Sequence, residues 1–368
     1  MRKTGTFWVM ILAGAPIAGA QPIRINEIQV IGSHNSYHAG LGRNEMAYLR
    51  KTNPKAAEAL DYSHPPLTDQ LNAGVRQLEI DVFGDAKGGL FAKPATVGLM
   101  AKAGFEVDPP FDPEGLMMKP GFKVLHAQDV DYRSRCQPFV ACLAEIRAWS
   151  KTHPKHIPIF ILIENKDGRS RPYMVAPEPL TAETFNLLDA EIRTVFRPGE
   201  MITPDDVRGS SATLETAVLG KGWPLLEESR GKVMFVLDQD RVGPLYTKGH
   251  PALEGRVMFT NSTAGQPDAA FMKLNDPLSE QVQAAVRKGY IVRTMSDPGP
   301  AGVRAGETRR RDAALASGAQ MVSTDYPFDE KAPESGYSVK FEHGDGPFNI
   351  RCNPVLKAAG CTADLLRE

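Results

Sequence analysis

The architecture this sequence predicts is α/β: an irregular (β/α)8 barrel with an insert on its rim and a loop-rich C-terminal extension. Eight short apolar runs recur along the 368 residues, each bounded by turn-forming residues. Helical patterns lie between several of them, which is how parallel strands are joined. The Gly-rich turn of a dinucleotide-binding open sheet is missing after the first run, which weighs against the doubly wound alternative.

In chain order the runs are "EIQVIG" (27–32), "RQLEIDVF" (76–83), "FKVLHA" (122–127), "IPIFILIE" (157–164), "KVMFVLD" (232–238), "RVMFT" (256–260), "YIVRTM" (290–295) and "AQMVST" (319–324). Most are rich in Val, Ile, Leu and Phe without clean alternation, as expected of strands covered on both faces. Helices are expected at "PLTDQLNAG" before the second run, "FVACLAEIRAWSKTH" before the fourth and "TAETFNLLDAEIRTVF" before the fifth. Two more, "LSEQVQAAVRKG" and "TRRRDAALASG", precede the seventh and eighth runs, and each closes on a Gly suited to a helix C-terminus.

Two segments break the rhythm. Residues 85–121 are rich in Gly and Pro with no clear amphipathic helix, and read as a rim loop. Residues 331–368 read as a loop-rich tail carrying the second pair of cysteines.

The N-terminus differs in kind from the rest. Arg2 and Lys3 precede the apolar "FWVMILAGAPIA", and "AGA" at 18–20 offers a small-residue cleavage site, the layout of a secretory signal peptide. The expected division is therefore a signal peptide over 1–20, a barrel over 21–330 and an extension over 331–368. The whole chain has 43 basic and 44 acidic residues; removing Arg2 and Lys3 leaves 41 against 44, a net charge of −3. Such a balance gives no reason to expect nucleic acid. Four cysteines fall into two close pairs, Cys136 with Cys142 and Cys352 with Cys361. Neither pair has C-x-x-C spacing, and export favours two local disulfides among the three possible connectivities.

The polar residues at the ends of the runs suggest a site. His34 and Asn35 follow the first, and Glu79 and Asp81, two apart, share one side of the second. His126 ends the third, Glu164 ends the fourth, Arg293 is in the seventh and Asp325 follows the eighth. Strand ends of a parallel barrel gather at one rim, where such folds carry their chemistry. Glu79, Asp81, Glu164 and the Asn35 amide form an all-oxygen donor set suited to Ca²⁺ or Mg²⁺; zinc more often recruits histidines. His34 and His126 would then stand as base and acid on either side of a metal-bound phosphate.

"GSHNSYH", "LEIDVFGD", "VLHA", "IENK" and "GAQMVSTDYP" resemble, in that order, the secreted bacterial calcium-dependent phosphoinositide-specific phospholipases C, over about residues 26 to 327. The resemblance implies a TIM-like barrel that cleaves phosphatidylinositol lipids to diacylglycerol and a cyclic inositol phosphate. It implies His34 as general base on the inositol 2-hydroxyl, His126 as acid at the departing glycerol oxygen, and Asn35, Glu79, Asp81 and Glu164 as Ca²⁺ ligands. Softer assignments to the substrate are Lys166, which could steady the phosphate, and Arg293, for which an ion pair with Asp297 or another rim acid is the competing expectation. Asp325 is expected near the substrate or fixing His34. Tyr37 and His38 are expected on the rim; His64, His153, His156, His250 and His343 are expected to be surface or structural residues. No protein partner is implied, and membrane contact is expected at Phe91, Leu99, Met100 and Met117 of the insert. Two other readings stay open: a glycerophosphodiester phosphodiesterase, whose His-Arg-Gly and Glu-Asn-Thr pieces are absent here, and an exported lipid-binding barrel without turnover.

Overall fold

A computed structural model describes residues 22–169, 171–341 and 350–368. The expected signal peptide and His343 lie outside the described residues.

Seven parallel strands form a nearly closed barrel: β1 (Ile28–Ser33), β2 (Gln77–Phe83), β4 (Ile159–Asn165), β5 (Val233–Leu237), β6 (Phe271–Lys273), β7 (Ile291–Met295) and β8 (Met321–Thr324), in the order β5-β4-β2-β1-β8-β7-β6. The gap between β5 and β6 is spanned by the predicted sixth run. It makes isolated parallel bridges, Phe259 to Val236 and Asn261 to Phe271, instead of a strand of its own. Among the strands, expectation and structure thus differ at this run and at two further places. The run at 122–127 is not a barrel stave: β3 (Lys123–Val124) is a two-residue antiparallel extension on the end of β2. The neighbours of β2 are accordingly β1 and β4, and the stave missed in the sequence is β6, whose three residues are too few to show a period.

All five predicted helices are present, as Leu67–Asn72, Phe139–Thr152, Ala182–Val195, Glu280–Lys288 and Arg309–Ala316. The reasons are local: Thr181 accepts from the backbone N–H of Thr184, Ser279 from that of Gln281, and Gly289 ends its helix in the left-handed region at φ 108°. The rim insert is more ordered than expected. It contains a helix, Ala95–Lys102, and Phe91, Met100 and Met117 are buried. Phe91 and Met117 pack with Phe83 and Leu125 in a small cluster of their own, so they are not a membrane contact; of the four residues expected there, Leu99 alone is half-buried. A helical pair that the sequence reading did not anticipate, Arg43–Thr52 and Pro54–Ala59, lies between β1 and β2.

The C-terminal tail is structural. Its strand β9 (Ile350–Cys352) pairs antiparallel with β1, and Glu368 accepts from buried Arg76 at the start of β2. Both disulfides are the local ones, Cys136–Cys142 and Cys352–Cys361. Among the described residues no helix is long and apolar enough to cross a membrane.

Candidate active site

Strand register assembles the acidic cluster. In the parallel pairing of β2 with β4, Asp81 lies beside Glu164, and Glu79 precedes Asp81 on the same face. Each of the three offers one carboxylate oxygen within 4.8 Å of the others. Two cations answer this charge, one just past the end of β4 and one in β7. Lys166 Nζ stands 2.6 Å from Glu164 Oε2 and 2.9 Å from Asp81 Oδ2. Arg293 Nη2 donates to Glu79 Oε2 at 2.8 Å, while its Nε donates to Ser323 and its Nη1 to Asn275. The rim acid that meets Arg293 is therefore Glu79 and not Asp297. Asp297 instead receives Thr324, Tyr337 and the backbone N–H of Asp325; burial, then the charge of Asp325, pushes its pKa up to about 6.

Asn35 is buried and adopts φ +47°, a conformation that Asn tolerates better than most side chains. Its Nδ2 donates to the Tyr62 hydroxyl at 2.9 Å, and its Oδ1 accepts from Tyr37 at 3.3 Å.

Each of the two histidines is held by a carboxylate. His34 Nδ1 is 2.8 Å from Asp325 Oδ1, and its Nε2 is 3.6 Å from Glu79 Oε1. His126 Nδ1 is 2.9 Å from Asp131 Oδ2, and the other oxygen of Asp131 holds His38 Nε2 at 3.0 Å. A carboxylate on Nδ1 fixes the proton there and leaves Nε2 as the working nitrogen. The side chains of His34 and His126 are 31% and 29% exposed, so a ligand can reach both, whereas that of Asp131 is 1% exposed and serves only to hold His126 and His38. Burial opposes charge on His34, but Glu79 and Asp325 outweigh it and push its pKa up to about 9. His126 is likewise raised: burial works against its charge, and its hydrogen bond to Asp131 prevails. Burial would raise Asp131 too, yet His38 and His126 hold it well below the usual carboxylate range.

The site fits a hard divalent cation. Its donors are oxygens, and the Nδ1 atoms of both histidines are already committed. Neither oxygen of fully buried Asp81 receives a well-directed hydrogen bond, and burial raises its pKa in spite of Lys166. A buried carboxylate of this kind gains by ligating a cation.

Of the nine residues singled out in the sequence, the structure places Glu79, Asp81, Glu164, Lys166, Arg293, His34 and Asp325 in one network of contacts, His126 with Asp131, and Asn35 with Tyr37 and Tyr62. It adds Asp131, Tyr62 and Tyr37. Tyr37 and His38 are fully buried behind the site and are not rim residues. Asp131 was not singled out in the sequence; its signal, an acidic residue five places after His126, is shared by Asp129 three places after it. Asp129 instead accepts from the backbone N–H groups of Ala95 and Val175.

A parallel barrel whose mouth joins an oxygen-donor cluster to two carboxylate-held imidazoles has the make-up of a metal-dependent phosphodiesterase. The family profile described as phosphoinositide phospholipase C, Ca²⁺-dependent, matches residues 23–354, and the chain belongs to that family. It is an enzyme of the phosphoinositide-specific phospholipase C class, with calcium as cofactor. The fold is similar to that of a calcium-dependent phosphoinositol-specific phospholipase C from Pseudomonas sp. in its apo form, at 18% identity over 91% of this chain and 97% of that one, TM-score 0.53. The same enzyme with myoinositol matches at 18% identity over 90% and 96%, TM-score 0.52. A calcium-dependent phosphatidylinositol-specific phospholipase C from Streptomyces antibioticus matches at 19% over 82% and 94%, TM-score 0.51. No curated protein sequence matches the chain.

Proposed function

We propose that the chain cleaves phosphatidylinositol to diacylglycerol and a cyclic inositol phosphate, with His34 as base and His126 as acid. The observation that carries this reading is the pairing of each imidazole with its own carboxylate, Asp325 and Asp131, on either flank of the acid cluster. His34 Nε2 takes the proton of the inositol 2-hydroxyl as that oxygen attacks phosphorus. His126 Nε2 gives a proton to the glycerol oxygen as the phosphorus–oxygen bond breaks. Its raised pKa suits a donor. Asn35, Glu79, Asp81 and Glu164 would hold the calcium, which when bound offsets charge on the pentacoordinate phosphorus and makes the attacking hydroxyl more acidic. Glu79, once its charge is shared with a cation, holds the His34 proton less tightly. Lys166, on a flexible stem, reaches the phosphate; Arg293 anchors Glu79. The natural setting of the reaction is outside the cytoplasm, which the leader-like residues 1–20 support; N-terminal sequencing of exported protein should begin at Gln21.

Phosphorus NMR of phosphatidylinositol incubated with enzyme and calcium tests the reaction. A cyclic inositol phosphate that appears with calcium and is lost in His34→Ala and His126→Ala is expected. Glycerophosphodiester cleavage without a cyclic product would replace this mechanism.

A further inference from the structure

Directly beside His126 a cavity of about 860 Å³ opens between the helical pair at 43–59 and the insert helix Ala95–Lys102. Leu49, Ala56, Leu60, Leu99 and Val130 give it an apolar lining, and Tyr173, half exposed, stands at its edge. Glu45, the acidic residue on the lining among the described residues, is committed to Arg133 and Tyr132. The helical pair does not join the main core. Met46, Leu49, Ala57 and Leu60 form a separate small cluster, backed by Leu41, Ala56 and Val130. Two helices that contribute little to the barrel thus shape an apolar cavity at the catalytic mouth, of a volume ordinary for a small-molecule site.

The polarity of the site decides what fits there. In the proposed reaction the inositol lies toward His34 and the departing glycerol oxygen lies at His126. The surroundings of His34 are Asp325, Glu79 and, through Glu79, Arg293. The cavity that His126 shares is lined by Ala127, Val130 and Leu99 among its apolar residues, with Tyr48, Thr96 and Arg171 among its polar ones. Exposed Lys51, Lys55, Lys102 and Arg171 stand on the elements that form the cavity and favour an anionic lipid surface at its mouth.

We infer that this cavity binds a fatty acyl chain of the glyceride, so that the enzyme reads the apolar leaving group of its substrate as well as the inositol. The inference rests on His126 lying at the leaving group. The cavity gives the helical pair its purpose: it shelters the part of the lipid that would otherwise face water while the phosphorus–oxygen bond breaks at His126.

Synthetic phosphatidylinositols with two chains of four, six or seven carbons, each used below its critical micelle concentration, separate this from bilayer attachment. With monomeric substrate, kcat/KM should climb with chain length, by up to about fourfold per methylene buried. Ala56→Trp fills the cavity from a half-buried helix position; it should flatten that climb and leave cleavage of a chainless inositol phosphate methyl ester unchanged. A climb present only above the micelle threshold, or one equally steep in Ala56→Trp, overturns the inference. Direct binding of a fluorescent fatty acid, expected in the parent and lost in Ala56→Trp with an unchanged melting curve, decides the matter apart from catalysis. Fatty acid binding together with no cleavage of any inositol phosphodiester would sink the proposed reaction and keep the cavity; cleavage without fatty acid binding would do the reverse.

Discussion

Asp131 shows what one buried carboxylate does by position. It ties His126 to His38, and both rings hold its pKa down and so keep it charged. Asp131→Asn keeps the shape but offers an amide where a carboxylate fixed the tautomer. We expect kcat to fall about 10²-fold with little change in KM, measured by steady-state assay on mixed micelles. His156 provides a test far from the mouth. It is fully buried, its Nε2 2.7 Å from the Ser150 hydroxyl. Burial first of all pulls its pKa from 6.5 down to about 4. Between those values the unfolded chain takes up a proton that the folded chain refuses, so stability falls as pH drops through 6.5 toward 4. The loss approaches about 3 kcal/mol by pH 4. Urea unfolding at pH 7 and pH 4.5 should show this loss in the parent and a smaller one in His156→Gln.

At the scale of elements, the closeness of β1 and β2 matters most, because these strands carry His34, Asn35, Glu79 and Asp81. Gly32 in β1 pairs with Gln77 in β2, and a Cβ on Gly32 would lie 2.0 Å from Gln77 Oε1 and 2.6 Å from its Cβ. The strands can lie this close only because position 32 has no side chain. Gly32→Ala should cost about 1–3 kcal/mol in urea unfolding, the usual penalty of overpacking, and should lower activity with it. Length helped to make elements legible in the sequence but did not suffice, since the ten-residue helix Arg43–Thr52 was missed. The 14-residue helix Phe139–Thr152 announced itself by period and Ala182–Val195 by its Thr cap as well. The three residues of β6 could not, and apolar "FKVLHA" passed for a stave because apolarity alone does not say which neighbour a strand pairs with.

For the molecule as a whole, the acid cluster links cation binding to stability. Glu79 and Asp81 are buried and lie close to Glu164, so a ligand bound by the folded state and not by the unfolded one raises the melting temperature by mass action. At a hundredfold excess of calcium over its dissociation constant the gain is about 2.7 kcal/mol. Thermal melts with calcium and with chelator should differ accordingly in the parent and coincide in Asp81→Asn, and activity should vanish with chelator and return with calcium. Melts indifferent to calcium would remove the ion from this cluster.

By itself the sequence pointed to the class of enzyme and to a candidate site. Residue type and expected strand-end position pointed to His34, Asn35, Glu79, Asp81 and Glu164, because a parallel barrel gathers its strand ends at one rim and hard cations prefer oxygen; His126 was expected on the same ground but comes from the loop after β3. Tertiary structure alone decided who holds whom: Asp131 on His126, Glu79 rather than Asp297 on Arg293, buried Phe91 and Met117 in place of a membrane contact, and an apolar cavity beside His126. These outcomes depend on angles and distances between segments far apart in the chain, and no local pattern of residues carries that information.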